Sequence, residues 1–181
     1  DPEADGWVQV LTQLHIPFDE QKIGEVSAPL LKRYDAVILA DVVSMSDTQC
    51  RMLDSFVEKG GTLIADGCSS MSDERRQPRK HMGLQCLGMD EITEKKQVRS
   101  AIFQFSDAEK EAWVSCKESG VDCIVPGDLV VTGTRRKEAK TYLHMVPNQP
   151  FGPPEICYST EKTEIAGVYE RDYGSGKSLY I

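Results

Sequence analysis

The chain has 181 residues and a formal net charge of −8, with 21 Lys and Arg against 29 Asp and Glu. A chain of this length suits one domain that buries roughly 70% of its unfolded surface, so it needs no disulfide or metal to fold. The acidic balance argues against a nucleic-acid partner, because phosphate neutralisation requires a basic surface. No apolar run approaches the ~20 residues of a membrane helix, and we therefore expect neither nucleic acid nor membrane as a partner.

The cysteines give weak information about compartment and none about metals. The chain has six of them, and none forms a C-x-C or C-x-x-C pair, which argues against a zinc or redox motif. Unpaired cysteines favour the cytoplasm, while a secreted or periplasmic location stays open. The chain begins with Asp1 and not with Met, and we expect an excised or processed piece of a longer protein.

The first 34 residues predict three short elements. Apolar residues at helical spacing predict a helix over Gly6–Leu14. His15–Asp19 is predicted to be a short strand, because Pro17 restricts Ile16 to extended geometry. A second short helix is expected over Pro29–Tyr34, with its proline in the first turn.

Residues 35–68 predict a strand–helix–strand unit. Asp35–Asp41 contains the apolar run of a strand that is buried on both faces. Ser46 and Gln49 have the spacing of a capping box, and Gly60-Gly61 is typical of a helix end. Thr62–Ala65 is a second buried strand, which makes the unit a right-handed crossover.

Together these elements predict an α/β fold, a flavodoxin-like three-layer sandwich with a mostly parallel sheet. Such a fold normally begins with a strand before its first helix. We expect that strand to have been cut away or to come from elsewhere.

The second half of the chain is predicted to be richer in β-structure. Asp107–Ser119 is a predicted helix, and Pro147–Pro154 is a proline-rich loop. Ile165–Asp172 and Lys177–Ile181 are expected to form a hairpin across a Gly-rich turn. The remaining strand candidates are Gln97–Phe105, Asp122–Val125, Leu129–Thr132 and Thr141–Val146.

Cys68 is the sharpest candidate for chemistry. It follows a buried strand, and strand-to-helix turns present nucleophiles in hydrolases and glutaminases. A helix after it would lower the thiol pKa and supply donors for an oxyanion. The base would have to be His15, His81 or His144, and the hypothesis of a hydrolase uses His144 or His81. The alternative is a small buried residue at a strand end.

Three carboxylates are candidates for a ligand cleft. Asp41, Asp66 and Glu74 are expected near the carboxyl ends of the central strands, where open α/β sheets bind ligands. Polar caps of strand ends are the commoner role for such residues. No G-x-G-x-x-G motif and no metal-ligand spacing occurs, so the sequence predicts no cofactor and no metal site.

The chain resembles the class I glutamine-amidotransferase-like domain of glycoside hydrolases, and it is similar to the trimerisation domain of family-42 β-galactosidases. The matching segments are HIPFDEQ, YDAVILADVVSMSDTQCRMLDSFVEKGGTLIADG, a Gly-Leu…Leu-Gly turn and DYGSGKSLYI. They cover most of residues 7–88 and the last ten or so. The resemblance implies a flavodoxin-like domain that has lost its catalytic triad and acts in assembly. The resemblance implies that such a domain packs on a catalytic TIM-barrel domain and on neighbouring subunits.

Three hypotheses follow for function. The first is a non-catalytic accessory module of a bacterial glycoside hydrolase in carbohydrate metabolism. It would act through contacts with the parent chain's barrel or in a homo-oligomer, and Pro150, Phe151 and Pro153 are interface candidates. The second is a cysteine-dependent amidohydrolase that uses Cys68. The third is a sugar-binding module, with ring stacking by the aromatic residues Trp7, Trp113 or Tyr142.

Overall fold

The computed structural model of the chain describes residues 2–98, 102–112, 120–125, 129–147, 153 and 161–181. Its helices are α1 (Pro2–Gln13), α2 (Ala28–Leu31), α3 (Asp47–Glu58) and α4 (Asp107–Ala112), with one 3-10 turn at Ile23–Glu25. Its strands are β1 (Ala36–Leu39), β2 (Thr62–Ala65), β3 (Met89–Gln97), β4 (Ile102–Gln104), β5 (Cys123–Ile124), β6 (Leu129–Arg135), β7 (Lys140–Val146), β8 (Ala166–Tyr173) and β9 (Gly176–Tyr180).

One seven-stranded sheet of order β1-β2-β9-β8-β7-β4-β5 organises the fold. The pairs β1–β2 and β2–β9 are parallel, whereas β9–β8, β8–β7, β7–β4 and β4–β5 are antiparallel. The α/β class and the β-richer second half are confirmed. The prediction of a mostly parallel sheet is wrong, because hairpin-type connections add the later strands to one side of a short parallel unit.

The strand–helix–strand unit forms as its sequence predicts. The Ser46 hydroxyl accepts the Gln49 amide proton at 3.2 Å, and the Gln49 side chain accepts the Ser46 amide proton at 2.8 Å. This capping box begins α3, and Gly60, with a φ of +112°, follows its end. Cys50, Leu53 and Val57 are buried on one helix face. The periodicity of α3 therefore packs it on the parallel strands.

The turn between β8 and β9 explains how β9 reaches the middle of the sheet. Gly174 has a φ of +62°, and the Ser175 amide donates to the Glu58 carbonyl at 2.9 Å. A Cβ on Gly174 would lie 2.5 Å from that same carbonyl oxygen. The Gly-rich turn therefore packs against the carboxyl end of α3. This contact places β9 beside β2.

Two predictions for individual strands are wrong or incomplete. His15–Asp19 forms no strand, because no described strand lies beside it to pair with. Its residues Ile16 and Phe18 are exposed. The sequence did not predict β3, a largely charged strand that pairs with β6 in a separate two-stranded ribbon. β3 is buried only at Met89 and is exposed over its last five residues, so it carries few apolar side chains and the hydrophobic pattern gave no signal.

A buried carboxylate fixes a distorted position in β7. Leu143 has a φ of +57°, and its amide donates to Glu109 at 3.0 Å. Glu109 lies in α4 and also accepts the Ser106 amide proton. Burial opposes its ionisation, but these hydrogen bonds outweigh burial and lower the pKa of Glu109 below its ordinary value. Glu109 therefore joins α4 to the antiparallel half of the sheet as an anion.

We expect Glu109→Gln to lower the free energy of unfolding by about 1–3 kcal/mol at pH 7, because charge-assisted hydrogen bonds to a buried group are lost. The pKa of Glu109 is lower in the folded chain than in the unfolded chain, so ionised Glu109 stabilises the fold at pH values above its unfolded pKa. This stabilisation is lost as the pH falls through the folded pKa. The difference between variant and parent should thus shrink towards pH 3. Urea unfolding at both pH values measures it. Glu111→Gln, at an exposed position of α4, is the matched control, and an equal loss there would contradict the assignment.

Candidate functional site

The candidate site lies where the parallel strands end. Residues 40–46 follow β1 and residues 66–72 follow β2 at the same edge of the sheet. Open α/β sheets bind ligands at this edge. The sequence placed Asp41, Asp66 and Cys68 here, and the structure brings these three residues together.

Asp41 and Asp66 join the loops after β1 and β2 through two hydrogen bonds. The Asp41 amide donates to Asp66 Oδ1 at 2.6 Å, and the Cys68 amide donates to Asp41 Oδ1 at 2.6 Å. Each carboxylate therefore accepts a backbone proton from the other loop. Asp41 also has a φ of +46°, a left-handed conformation that Asp tolerates better than most residues. Both carboxylates therefore bind backbone amides at the edge of the sheet where a ligand would otherwise be expected.

Two serines add hydrogen bonds between the same two loops. The Ser69 hydroxyl accepts the Val42 amide proton at 3.0 Å and donates to the Leu39 carbonyl at 3.0 Å. The Ser70 amide donates to the Val42 carbonyl at 2.9 Å. Ser69 and Ser70 are fully buried. The loop after β2 is thus packed against the loop after β1 by buried serines.

Trp7 and Tyr180 complete the site from other parts of the chain. Trp7 Nε1 donates to Asp66 Oδ2 at 2.5 Å, so Asp66 accepts from both α1 and the loop after β1. The Tyr180 hydroxyl donates to the Gly67 carbonyl at 2.6 Å. Burial raises the pKa of Tyr180, so it stays a neutral donor. The sequence missed both contacts, since each joins residues more than 50 positions apart.

Cys68 lies in a series of turns. Gly67 before it has a φ of +56°, and turns continue through Ser70 with no helix following. The helix N-terminus that would activate a thiol is therefore missing from this segment. Cys68 is half-buried, and its amide is used by Asp41. The site as described holds the loop in place and provides no oxyanion donors from a helix.

The structure does not pair Cys68 with either candidate base. His144 lies in β7, three strands from β2 in the sheet, a separation of about 14 Å. His81 is exposed, and its Nδ1 lies 3.4 Å from Asp90 Oδ1. No hydrogen bond joins Cys68 to a histidine in the part of the chain that the structure describes.

The other predicted site residues lie apart from this edge. Glu74 is exposed in a turn whose amides bond to Asp73. Pro153 is exposed, whereas Pro150, Phe151 and Trp113 lie outside the described residues. Tyr142 lies in β7, away from the parallel strands. These residues therefore do not form one site with Asp41 and Asp66.

Neither a metal cluster nor a membrane helix is found in the described ranges. No group of three or more His, Cys, Asp or Glu residues there could hold a metal ion. No helix among those residues is long and apolar enough to cross a membrane.

The fold is similar to that of a region of β-galactosidases. A catalytic mutant of Gan42B, a GH42 β-galactosidase from G. stearothermophilus, matches 82% of this chain with a TM-score of 0.56 and 18% identity. The β-galactosidase from Bacillus circulans sp. alkalophilus matches 83% with a TM-score of 0.57 and 15% identity. The chain spans 19% and 20% of the length of these two enzymes.

A shorter protein has a similar fold across nearly the whole chain. The cytoplasmic protein STM1381 from Salmonella typhimurium LT2 matches 98% of this chain and 74% of its own length, with a TM-score of 0.67 and 11% identity. No protein-family model matches the sequence, and no curated protein matches it significantly. At these identities the comparisons establish the fold.

We expect Gly67→Ala to lower the free energy of unfolding by about 2–4 kcal/mol, since it adds left-handed strain and displaces a part-buried hydrogen bond. An added Cβ would lie 2.5 Å from Asp41 Oδ1, which bonds to the Cys68 amide. Chemical unfolding measures the loss. Gly6→Ala is the control, because Gly6 lies within α1 with open space around its Cβ position. That variant should be neutral or slightly stabilising. Equal losses of stability at both positions would contradict a stabilising role for the hydrogen bond between Asp41 and the Cys68 amide.

We expect the four described cysteines to differ in alkylation rate according to their burial. Burial raises the pKa of Cys50 to about 11 and also raises that of Cys86, so we expect both to react only on unfolding. Cys123 is exposed and should react first, with half-buried Cys68 slower. Peptide mapping after iodoacetamide treatment at pH 6 and pH 8 gives each rate. Fast reaction of Cys68 alone at pH 6 would instead identify an activated nucleophile.

Proposed function

We propose that residues 1–181 form one glutamine-amidotransferase-like domain of a longer bacterial glycoside hydrolase. In this proposal the domain is a non-catalytic accessory module that acts in carbohydrate metabolism through domain and subunit contacts. Its partners are a catalytic TIM-barrel domain of the parent chain and other copies of the same protein.

The shared fold carries the proposal. More than four-fifths of the chain matches a region of two β-galactosidases, while that region is about a fifth of each enzyme. The matching region is therefore a minor part of each enzyme. A role beside a separate catalytic domain accounts for the high coverage of this chain and the low coverage of the enzymes.

The chemistry of the candidate site supports a non-catalytic role. Asp41 and Asp66 accept hydrogen bonds from backbone amides and from Trp7, and among the described residues no hydrogen bond joins Cys68 to a histidine. General acid–base or nucleophilic catalysis needs a group that is free to exchange a proton with substrate. Asp41 and Asp66, the ligand-cleft candidates of the sequence, act here as connections between two loops.

The far edge of the sheet provides a surface for assembly. Val121, Ile124 and Val125 are exposed around β5, the last strand of the sheet, and Leu129 is exposed at the start of β6. Exposed apolar side chains beside an edge strand are typical of contact surfaces. We place the contact with a neighbouring subunit at this edge.

Two substitutions in the full reading frame that encodes this chain test the proposal. Cys68→Ala should leave hydrolysis of nitrophenyl β-galactoside and of glutamine unchanged, because the thiol takes no part in catalysis. Val125→Asp should lower the oligomer mass measured by light scattering, because it places a charge in an apolar contact. Ile181→Asp is the matched control, since Ile181 is exposed and apolar but distant in sequence from this edge.

Three results would count against the module. A loss of glutamine hydrolysis in Cys68→Ala would establish the amidohydrolase. An unchanged oligomer mass in Val125→Asp would remove the assembly surface. A reading frame without a barrel domain would remove the proposed partner.

A further inference from the structure

A groove of about 560 Å³ runs along one flank of α3, between this helix and α2. The residues that α3 contributes lie three or four positions apart, from Thr48 in its first turn to Lys59 just after its end. Such spacing places them on one face of the helix. The lining contains neither Asp41, Asp66 nor Cys68. The groove is therefore separate from the candidate site at the carboxyl edge of the sheet.

The dimensions of the groove suit an extended chain. Lys59 follows Thr48 by 11 positions, and at 1.5 Å per residue the helix wall is about 16 Å long. An extended peptide covers that distance with about five residues. Thr48, Arg51 and Lys59 are exposed, so the groove is accessible along this whole wall.

The floor of the groove is apolar. Leu31 of α2 is buried, and Met52 and Phe56 of α3 are half-buried and pack on the main core cluster. The Phe56 ring lies against Gly61, where a Cβ atom would have no room. The ring is thus held in place at the end of the groove. Apolar side chains of a ligand would complete the burial of this floor, which is favourable.

Three cations surround this floor. Lys32, Arg51 and Lys59 line the groove and are exposed. None of them forms an ion pair with another described residue, and Arg51 donates a hydrogen bond only to the Thr48 hydroxyl, at 3.3 Å. Asp35 supplies the one carboxylate of the lining. The groove is therefore positively charged, although the chain has a formal net charge of −8.

Charge complementarity indicates the chemistry of the occupant. Cations around an apolar floor are matched by a segment with carboxylates on one side and apolar groups on the other. Successive side chains of an extended chain point in opposite directions, so alternating acidic and apolar residues provide both sides. A nucleic acid does not fit, because the net negative charge of the chain repels its phosphates.

We propose that the groove between α2 and α3 binds an acidic segment of a partner protein in an extended conformation. The segment has about five residues, in which acidic and apolar residues alternate. Its apolar side chains pack on Met52 and Phe56, and its carboxylates pair with Lys32, Arg51 and Lys59. The inference does not depend on the proposed function, whose contact lies at β5, at the other end of the sheet from β1.

NMR titration of the ¹⁵N-labelled chain with the peptide acetyl-Glu-Leu-Asp-Phe-Glu-amide tests the proposal. We expect the amide resonances of Met52, Ser55, Phe56 and Gly61 to shift along one saturable curve, because these residues line the groove. A peptide with Gly in place of Leu and Phe should bind about tenfold more weakly, because it buries no apolar side chain. Added salt should also weaken binding, since it screens the exposed charges.

A charge-neutralised variant makes the test specific to the groove. The double variant Arg51→Gln, Lys59→Gln should weaken peptide binding by about fivefold, since two exposed ion pairs are lost. The matched control is Lys95→Gln, Lys96→Gln, which removes the same charge from β3 and should leave the affinity unchanged. All four positions are exposed, so both variants should keep the thermal midpoint of the parent chain.

Four results would contradict the proposal. The peptide could shift none of the groove resonances at millimolar concentration, or both double variants could weaken binding equally. Glutarate could shift the same resonances with the affinity of the peptide, which would assign the groove to small carboxylates. The same resonances could shift with protein concentration alone, which would assign the groove to a second copy of the chain.

Discussion

The exchange of hydrogen bonds between Asp41 and Asp66 holds the parallel part of the molecule together. Each carboxylate accepts an amide proton from the opposite loop. Asp66 also accepts a hydrogen bond from Trp7 in α1. Tyr180 in β9 donates a hydrogen bond to the Gly67 carbonyl in the loop after β2. Strands β1, β2 and β9 and helix α1 thus meet at one small polar centre. Such a network, once satisfied, specifies a single arrangement of its loops.

The same centre lies at the edge of the sheet where open α/β folds bind ligands. Active-site groups need unfilled hydrogen-bonding capacity directed at a cavity. Here the capacity of Asp41, Asp66 and Ser69 is directed at neighbouring backbone. These groups therefore join the loops after β1 and β2 to each other.

The sequence predicted the elements that depend on local patterns. The capping box of α3, the strand β2 and the hairpin of β8 and β9 all formed as expected, because their signals lie within a few residues. It could not predict that β9 pairs with β2, since no local pattern encodes a partner over 100 residues away. At the site, the sequence placed Asp41, Asp66 and Glu74 near the carboxyl ends of the central strands. Asp41 and Asp66 lie there, whereas Glu74 lies apart in an exposed turn. The contacts of Trp7 and Tyr180 depend on the tertiary fold and left no local signal.

The central position of β9 has a consequence for synthesis on the ribosome. β2 begins at Thr62, but its partner residue Lys177 follows 115 residues later. At typical rates of about 5–20 residues per second, one side of β2 waits roughly 6–23 s for its partner. During that interval the nascent chain carries an apolar strand with an unsatisfied side. Chaperone binding to residues 62–65 of the nascent chain, and loss of that binding once β9 emerges, would be the cellular trace of this topology.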